Sequence, residues 1–456
     1  MTESLLDPKT VSVVSPAERT EPAVKFSRTT ESDVSELFRG GMFLSARYGL
    51  GVVLSVGNMF VMTRWIGPHS YGVFITAIGL VTFFCNVSRA GVDTYLIRRE
   101  IAPNVELYQT ALTLILAISG CLAFLGAALI PLLTRWYSSS ELVLPYLLLL
   151  TTVPITGAIG VPMAGLERKL DFATAATIEL GGQGIGTALS SMLAWSGCGV
   201  WAPVWGQITG QIYVLFRAFS VTQLTPRLLW HARHAREMLA FGIPLTASLR
   251  TWQLRTLVNP LIVGRVAGPE GVAFVGLALR VAEALGAIRI AAGRIANAAL
   301  ARLQTRRAEF RRALQQGILF QVITLGPLLC AFSLSGPWIV AHLLGARWAQ
   351  SLNVFPFLAA GVLINSVYNL QASALFVLGR QWTVMRSYVT HVLVLTIAAL
   401  VCVRRVGIVG YGWAELLACS AYLPLHLEIC CSAHISYRAF APWLAVFLLI
   451  IFAASC

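Results

Sequence analysis

Charge is what this chain has least of. Of its 456 residues, 12% are Asp, Glu, Lys or Arg and 57% are hydrophobic, whereas a soluble domain carries about a quarter charged residues. With a mean hydropathy of +0.73, the composition excludes a water-soluble globular protein and predicts a polytopic membrane protein. Lysine is nearly absent, occurring only at Lys9, Lys25 and Lys169 among 34 basic residues. The net charge of +14 is therefore almost wholly arginine. Codon bias with a positive-inside topology accounts for such an excess. A guanidinium also forks bidentately onto phosphate, so the bias is compatible with an anionic ligand as well.

Catalytic and cofactor signatures are missing too. No G-x-x-x-x-G-K-[ST] occurs, which leaves no self-contained ATP motor. The nine cysteines form no C-x-x-C pair and read as small core hydrophobes. The seven histidines form no ligand cluster; His231-x-x-His234 lies in a basic loop, poor ground for a metal. No outer loop is long enough for a catalytic domain, and no paired acids or nucleophile–base set stands in the loops. An enzyme is not expected, nor a cofactor, a metal or a nucleic-acid partner. Residues 1–40 are polar and mixed in charge with no apolar run. They show no secretory signal peptide and read as a disordered tail.

What the chain does have is apolar runs about 20 residues long, the length that crosses a bilayer. They fall near 42–63, 72–90, 109–133, 142–164, 173–194 and 200–219, then near 239–264, 272–293, 313–335, 353–378, 385–403 and 407–427. A thirteenth, AFAPWLAVFLLIIFAASC (439–456), is barely long enough to cross and reads as a span, a half-span or the remnant of one. Lys and Arg crowd one set of alternate loops, from the tail through Arg98-Arg99, Arg168-Lys169, Arg302–Arg312 and Arg380. The opposite loops hold only Arg64, Arg135, Arg265, Arg347, Arg404 and Arg405. The positive-inside rule places the N-terminal tail in the cytoplasm of a multi-pass inner-membrane protein.

The chain also repeats itself. At an offset of 201 residues NMFVMTRWIGP (58–68) aligns with NPLIVGRVAGP (259–269), pairing Asn58 with Asn259 and Gly67-Pro68 with Gly268-Pro269. Further on, RWYSSSELVLPYL (135–147) resembles RWAQSLNVFPFL (347–358), LERK (166–169) faces LGRQ (378–381), and Trp201-Ala202 faces Trp413-Ala414. A copy displaced by six spans keeps its orientation, so the repeat is parallel. The predicted fold is all-α and polytopic, with two six-helix lobes: an N-lobe over 41–219 and a C-lobe over 239–430. The basic linker 220–238 joins them.

Polar groups inside the spans carry the functional signal, because an ionised side chain at bilayer depth costs roughly 2.5–3.5 kcal/mol or more and faces a cavity. If the seventh span starts near Leu239, Arg250 lies about 16 Å deep, with Arg280 and Glu283 at similar depth on the eighth. Thr246, Arg250 and Gln253 at i, i+4, i+7 form one stripe; Arg255 and Asn259 mark a neighbouring one. In the first lobe Arg47, Gly51 and Asn58 share a face of helix one, and Thr82, Asn86, Arg89 and Asp93 a face of helix two. An Arg250–Glu283 or Arg280–Glu283 pair that merely glues the lobe is the competing reading, but one carboxylate cannot neutralise three deep arginines. Glu179 and Glu415 are isolated acids, candidates for ion coupling or for hydrogen-bonded glue. Pro154, Pro162, Pro203 and Pro244 are expected to kink helices.

RWIGPHSYGVF (64–74), RAGVDTYLIRRE (89–100), LERKLDFATAA (166–176), LAFGIPLT (239–246), LIVGRVAGPEGVAFVGLALR (261–280) and LLGARWAQS (343–351) resemble the Wzx-type polysaccharide flippases. That family belongs to the MOP superfamily, with the MATE exporters and the lipid II flippases, and the resemblance covers about residues 40–430. It implies that an oligosaccharide on undecaprenyl pyrophosphate is moved across the inner membrane for exopolysaccharide, O-antigen or capsule synthesis. Two lobes would alternate access, driven by ion antiport. The implied partners are the polyprenyl-linked oligosaccharide, membrane lipid, and polymerase and export machinery. Arg250 and Arg280 would grip pyrophosphate or acidic sugar, with Arg255, Gln253, Arg47, Arg89, Asn58 and Asn259 lining the cavity. Where relatives often carry Asp on helix seven this chain has Asn259, and Phe274 replaces a common Tyr. The missing acid shifts ion coupling to Glu283, Glu179 and Glu415. The alternative is a MATE-like exporter of cationic small molecules, which requires an acid-dominated cavity.

Overall fold

The computed structural model describes residues 50–51, 53–101, 103–287, 289, 299–304, 306–433, 435 and 437–454; the side chains of 244–245, 247–250 and 433 lie outside that description. The described chain is helical throughout. The first lobe comprises α1 (53–66), α2 (Pro68–Ser88), α3 (Val92–Arg98), α4 (Val105–Ala128), α5 (Ile130–Tyr137), α6 (Val143–Leu150), α7 (Thr152–Arg168), α8 (Phe172–Trp195) and α9 (Trp201–Thr222). The second comprises α10 (Ala232–Arg250), α11 (Gly264–Leu285), α12 (299–303), α13 (Arg307–Ile339), α14 (Gln350–Val377), α15 (Gln381–Val406), α16 (Val409–Ala418), α17 (Leu423–Ala433) and α18 (Ala441–Ala453). Among the described residues, eight helical stretches are long and apolar enough to cross a membrane. Large apolar side chains such as Phe124 and Leu334 stand outward, as lipid-facing surface requires. This is a multi-pass membrane protein. The helices α8 and α9 are as long as the eight but more polar, for a reason the cavity supplies below.

The repeat is visible in the backbone. Gly67 (φ 81°) ends α1 just before Pro68 opens α2, and Gly268 (φ 70°) breaks α11 just before Pro269. Only glycine takes this left-handed backbone without strain, and Pro at the first helical position gives up an N–H that has no partner there anyway. The Arg-Trp pairs also correspond, and each reaches into the opposite lobe. Trp136 Nε1 donates to the Leu261 carbonyl and Tyr137 Oη to that of Pro260, at 2.8 and 2.9 Å. Reciprocally, Trp348 Nε1 donates to the Thr63 carbonyl at 2.8 Å, and Arg347 donates to that of Arg64. Thr63 and Arg64 lie in the last turn of α1, whose carbonyls lack helical partners. The conspicuous motif is thus a cross-lobe cap used twice.

At this end α2 and α11 meet backbone to backbone: a Cβ on Gly72 would lie 1.8 Å from the Pro269 carbonyl oxygen. A second close approach lies at the end that carries the basic loops, where a Cβ on Gly242 of α10 would lie 1.9 Å from the Ala90 carbonyl oxygen. Beside it Tyr95 Oη donates to Glu237 at 3.2 Å. That bond, with Arg233, holds the Glu237 carboxyl below its usual range. Within the first lobe, α8 and α9 pack through Gly182-x-x-x-Gly186 against Gly206-x-x-x-Gly210, every one of whose Cβ positions would fall within 2.8 Å of the facing backbone; such stripes let helices touch in lipid. The LERK motif has its explanation in Arg168, which donates to the carbonyls of Leu96, Ile97, Arg99 and Glu100 where α3 runs out. Arg168→Ala strands those acceptors and should destabilise the protein by roughly 1–3 kcal/mol, read as a lower Tm in detergent. An unchanged Tm would mean that water replaces the guanidinium.

Three expectations need correction. The seventh helix does not run unbroken to 264. Its α-turns stop at Arg250, a 3₁₀ segment covers Trp252–Leu257, and a π segment covers Asn259–Val263. Pro260 has no N–H and crowds the preceding turn, and local 3₁₀ and π adjustment accommodates it. The i, i+4, i+7 stripe through Thr246, Arg250 and Gln253 assumed one regular helix, so it does not hold as drawn. The described eighth helix ends at Leu285, and residues 288 and 290–298, where the expected span continues, lie outside the described residues. The last run, left open between a span and a half-span, forms a 13-residue helix, Ala441–Ala453, and packs on α13, where a Cβ on Gly326 would strike the Phe447 ring. Of the prolines, Pro162 lies inside a helix, whereas Pro154 and Pro203 sit in first turns.

Candidate functional site

A cavity of about 1120 Å³ lies between the lobes, walled by α1, α2, α7, α8 and α9 on one side and by the 3₁₀ segment and α11 on the other. Among its described lining residues four arginines, Arg89, Arg255, Arg280 and Arg289, face two carboxylates, Glu179 and Glu283. The α8 and α9 walls add Gln183, Gln207 and Gln211. Gln207 and Gln211 are one turn apart and share a face. These amides, with Glu179 and the glycines of the α8–α9 seam, contribute to the lower hydropathy that keeps α8 and α9 out of the eight. Met59, Met62 and Phe74 supply an apolar part of the wall.

Several of these polar groups are held by identifiable partners. Arg280 donates to Tyr71 Oη at 2.9 Å and lies over that ring, 5.7 Å from its centroid; Tyr71 is on α2, so the contact bridges the lobes. The competing reading, an Arg280–Glu283 pair, is not seen: Glu283 makes no ion pair within 4 Å among the described residues and lines the cavity. Arg89 lies 3.8 Å from Asp93. The two do not share one helix, because α2 ends at Ser88 and Gly91 turns the chain into α3. Arg289 donates to Asn365 Oδ1 at 2.9 Å. Gln183 donates to Gly51 O and Ser55 Oγ, and Asn58 lines the wall with Oδ1 unpartnered among the described residues.

Arg255 is the unusual member. It lines the cavity, yet its Nη2 reaches away to Glu415 Oε1 on α16 at 2.9 Å. Glu415 is therefore not an isolated acid; it is 7% exposed and sits behind the wall, not in it. Two further expectations shift. Asn259 is buried outside the cavity, donating to the Val272 carbonyl at 3.4 Å, and Gln253 is not among the lining residues. The 3₁₀ and π turns rotate both away from the direction that regular helical spacing assigns them. Arg47 lies outside the described residues, as does the Arg250 side chain, although the Arg250 backbone closes α10. Sequence reasoning missed Tyr71, Arg289, Gln207 and Gln211. The glutamines could have been found by extending the search from charges to amides within apolar runs.

The chain's relatives can now be set beside this geometry. A family profile described as "Polysaccharide biosynthesis protein" matches residues 61–353. The chain belongs to the polysaccharide biosynthesis protein family. No curated protein matches it in sequence. Among solved structures, "Lipid II flippase MurJ, inward closed conformation" is 14% identical, covers 90% of this chain and 92% of its own, and superposes with a TM-score of 0.75. A "multidrug resistance MATE family transporter of the MOP superfamily" in an inward-facing conformation is 15% identical, covers 82% of this chain and 94% of its own, and gives 0.66. This polysaccharide biosynthesis protein therefore has the all-α, two-lobed fold of MOP-superfamily transporters.

Proposed function

We propose that this family member flips a polyprenyl-pyrophosphate-linked oligosaccharide, with undecaprenyl as the lipid, across the bacterial inner membrane. The observation that carries the reading is the excess of arginine over carboxylate in the cavity between the lobes. A guanidinium makes short, charge-assisted bonds to phosphate oxygens, and a partly desolvated site strengthens them. The glutamines suit sugar hydroxyls, while the polyprenyl chain stays in the bilayer. Arg280, Arg89 and Arg255 are the described residues assigned to the grip, and Arg250 and Arg47 are assigned with them from sequence position. The basic loops around Arg98, Arg168 and Arg306 support a cytoplasmic position for the Gly242 end and the N-terminal tail. The lobes over 41–219 and 239–430 alternate access. No step of covalent chemistry is assigned.

A MATE-like exporter of cationic compounds shares the fold, but an arginine-rich cavity repels its cargo. The deciding experiment is a deletion strain whose lipids are extracted and weighed by mass spectrometry. Completed repeat units on polyprenyl pyrophosphate should accumulate while surface polysaccharide disappears. Wild type should restore export, and Arg280→Ala/Arg89→Ala should restore less than about a tenth of it, the ratio expected when roughly 1.4 kcal/mol or more of binding is lost. A normal lipid-linked pool with intact surface glycan would sink the reading.

A further inference from the structure

The buried side of Arg255 holds a cluster the cavity does not explain. Arg255 has Glu415 at 2.9 Å and the Trp252 ring under its guanidinium, 5.0 Å from the centroid. Glu415 spends one oxygen on Arg255; its other, Oε2, is buried with no partner among the described residues. On α15, His391 is 1% exposed and packed between the Trp252 and Tyr422 rings, at 4.9 and 5.1 Å. Its Nδ1 lies 3.0 Å from the Ala418 carbonyl, an atom that only accepts. Nδ1 therefore carries the hydrogen, which leaves Nε2 the lone-pair nitrogen of the neutral ring, also buried and without a partner among the described residues. Ala418 is one turn beyond Glu415. Facing Arg255 and Glu415 are His391 from α15, Tyr411 from α16, Cys419 and Tyr422 from the turn after it, and Glu283 from α11. Tyr388 of α15 stacks on Trp252, and Tyr368 of α14 on Tyr422.

One arginine thus stands between two claimants: an anion in the cavity and a carboxylate behind the wall. We propose that Glu415 is a proton-binding site linked to the cavity through Arg255, so that gripping an anionic cargo takes up a proton. This rests on the cavity being an anion site and deepens that reading. The exchange balances. An anion drawing Arg255 toward the cavity breaks the Arg255–Glu415 pair, and the abandoned carboxylate binds one proton from solution at its oxygens. When the anion leaves, Arg255 returns and the proton departs. Proton and anion bind together, the opposite of an antiporter's proton, which leaves when cargo arrives. By linkage, protonation tightens anion binding as much as the anion tightens proton binding. His391 is a positioning residue: its neutral ring, fixed by Ala418, packs beside the turn that carries Glu415.

The test uses the full-length protein in detergent and inorganic pyrophosphate as the probe, titrated calorimetrically in buffers of differing ionisation enthalpy. Wild type should take up about one more proton per pyrophosphate than Glu415→Gln, the ligand's own titration cancelling between them. Wherever binding takes up that extra proton, wild-type affinity should fall about tenfold per pH unit relative to the variant. Should Glu415→Gln not fold, Arg255→Gln/Glu415→Gln keeps the shapes without the charges and should lose the same proton. Equal uptake by wild type and either variant, with pyrophosphate still bound, overturns the linkage and leaves the anion cavity standing. No pyrophosphate binding by any form overturns the anion cavity and the linkage with it.

Discussion

Gly72→Val and Gly242→Val should push the protein in opposite directions. The Gly72 position closes the end of the lobe interface capped by Trp136 and Trp348, where an added Cβ meets the Pro269 carbonyl oxygen at 1.8 Å. Gly242 closes the basic end, where the corresponding approach to Ala90 O is 1.9 Å. Neither target is a side chain that can swing aside; both are backbone. Overpacking of this kind costs about 1–3 kcal/mol or more. On the alternating access proposed above, that cost falls on whichever state holds the contact, and about 1–3 kcal/mol moves a two-state ratio roughly 5- to 150-fold. A single cysteine at Gln207, on the cavity wall, reports the outcome in an otherwise cysteine-free protein. Gly72→Val should raise its labelling by an impermeant maleimide from the periplasmic side, and Gly242→Val from the cytoplasmic side. Equal labelling from both sides in both variants would remove the rocking picture.

The parts of this molecule that repeat were readable in one dimension. Gly67-Pro68 and Gly268-Pro269 could be matched by eye, and each marks a left-handed glycine before a helix. The two Arg-Trp motifs were equally plain, yet nothing local says that each tryptophan caps the other lobe, because Trp136 and Leu261 are 125 residues apart. Depth in the membrane was legible from counting residues. Direction around the helix was not, because counting assumes regular turns and Pro260 spoils them between Arg250 and Gly264. That local irregularity is why regular spacing assigns Asn259 and Gln253 to the cavity. The pairing of Arg255 with Glu415 spans 160 residues and depends on how α16 seats behind the 3₁₀ segment, a tertiary fact that periodicity does not encode.

Glu415→Ala should be among the most damaging single substitutions in the C-lobe. It leaves Arg255, a permanent cation, beside an apolar hole, and breaking a buried pair from one side destabilises by roughly 3–5 kcal/mol. Arg255→Met/Glu415→Leu removes both charges and refills the volume, so its stability should lie within about 1–2 kcal/mol of wild type or above it. Thermal unfolding of wild type, Arg255→Met, Glu415→Leu and the double variant in one detergent gives the cycle: two low melting temperatures and a recovered double variant, a strong departure from additivity. Additive losses would mean that Glu415 and Arg255 do not share one energetic interaction. The double variant also separates packing from purpose. Hydrophobic replacement serves the fold at least as well as the ion pair does. If the recovered protein stays folded but fails to export surface glycan, then the pair is kept for what Arg255 does when Glu415 lets it go.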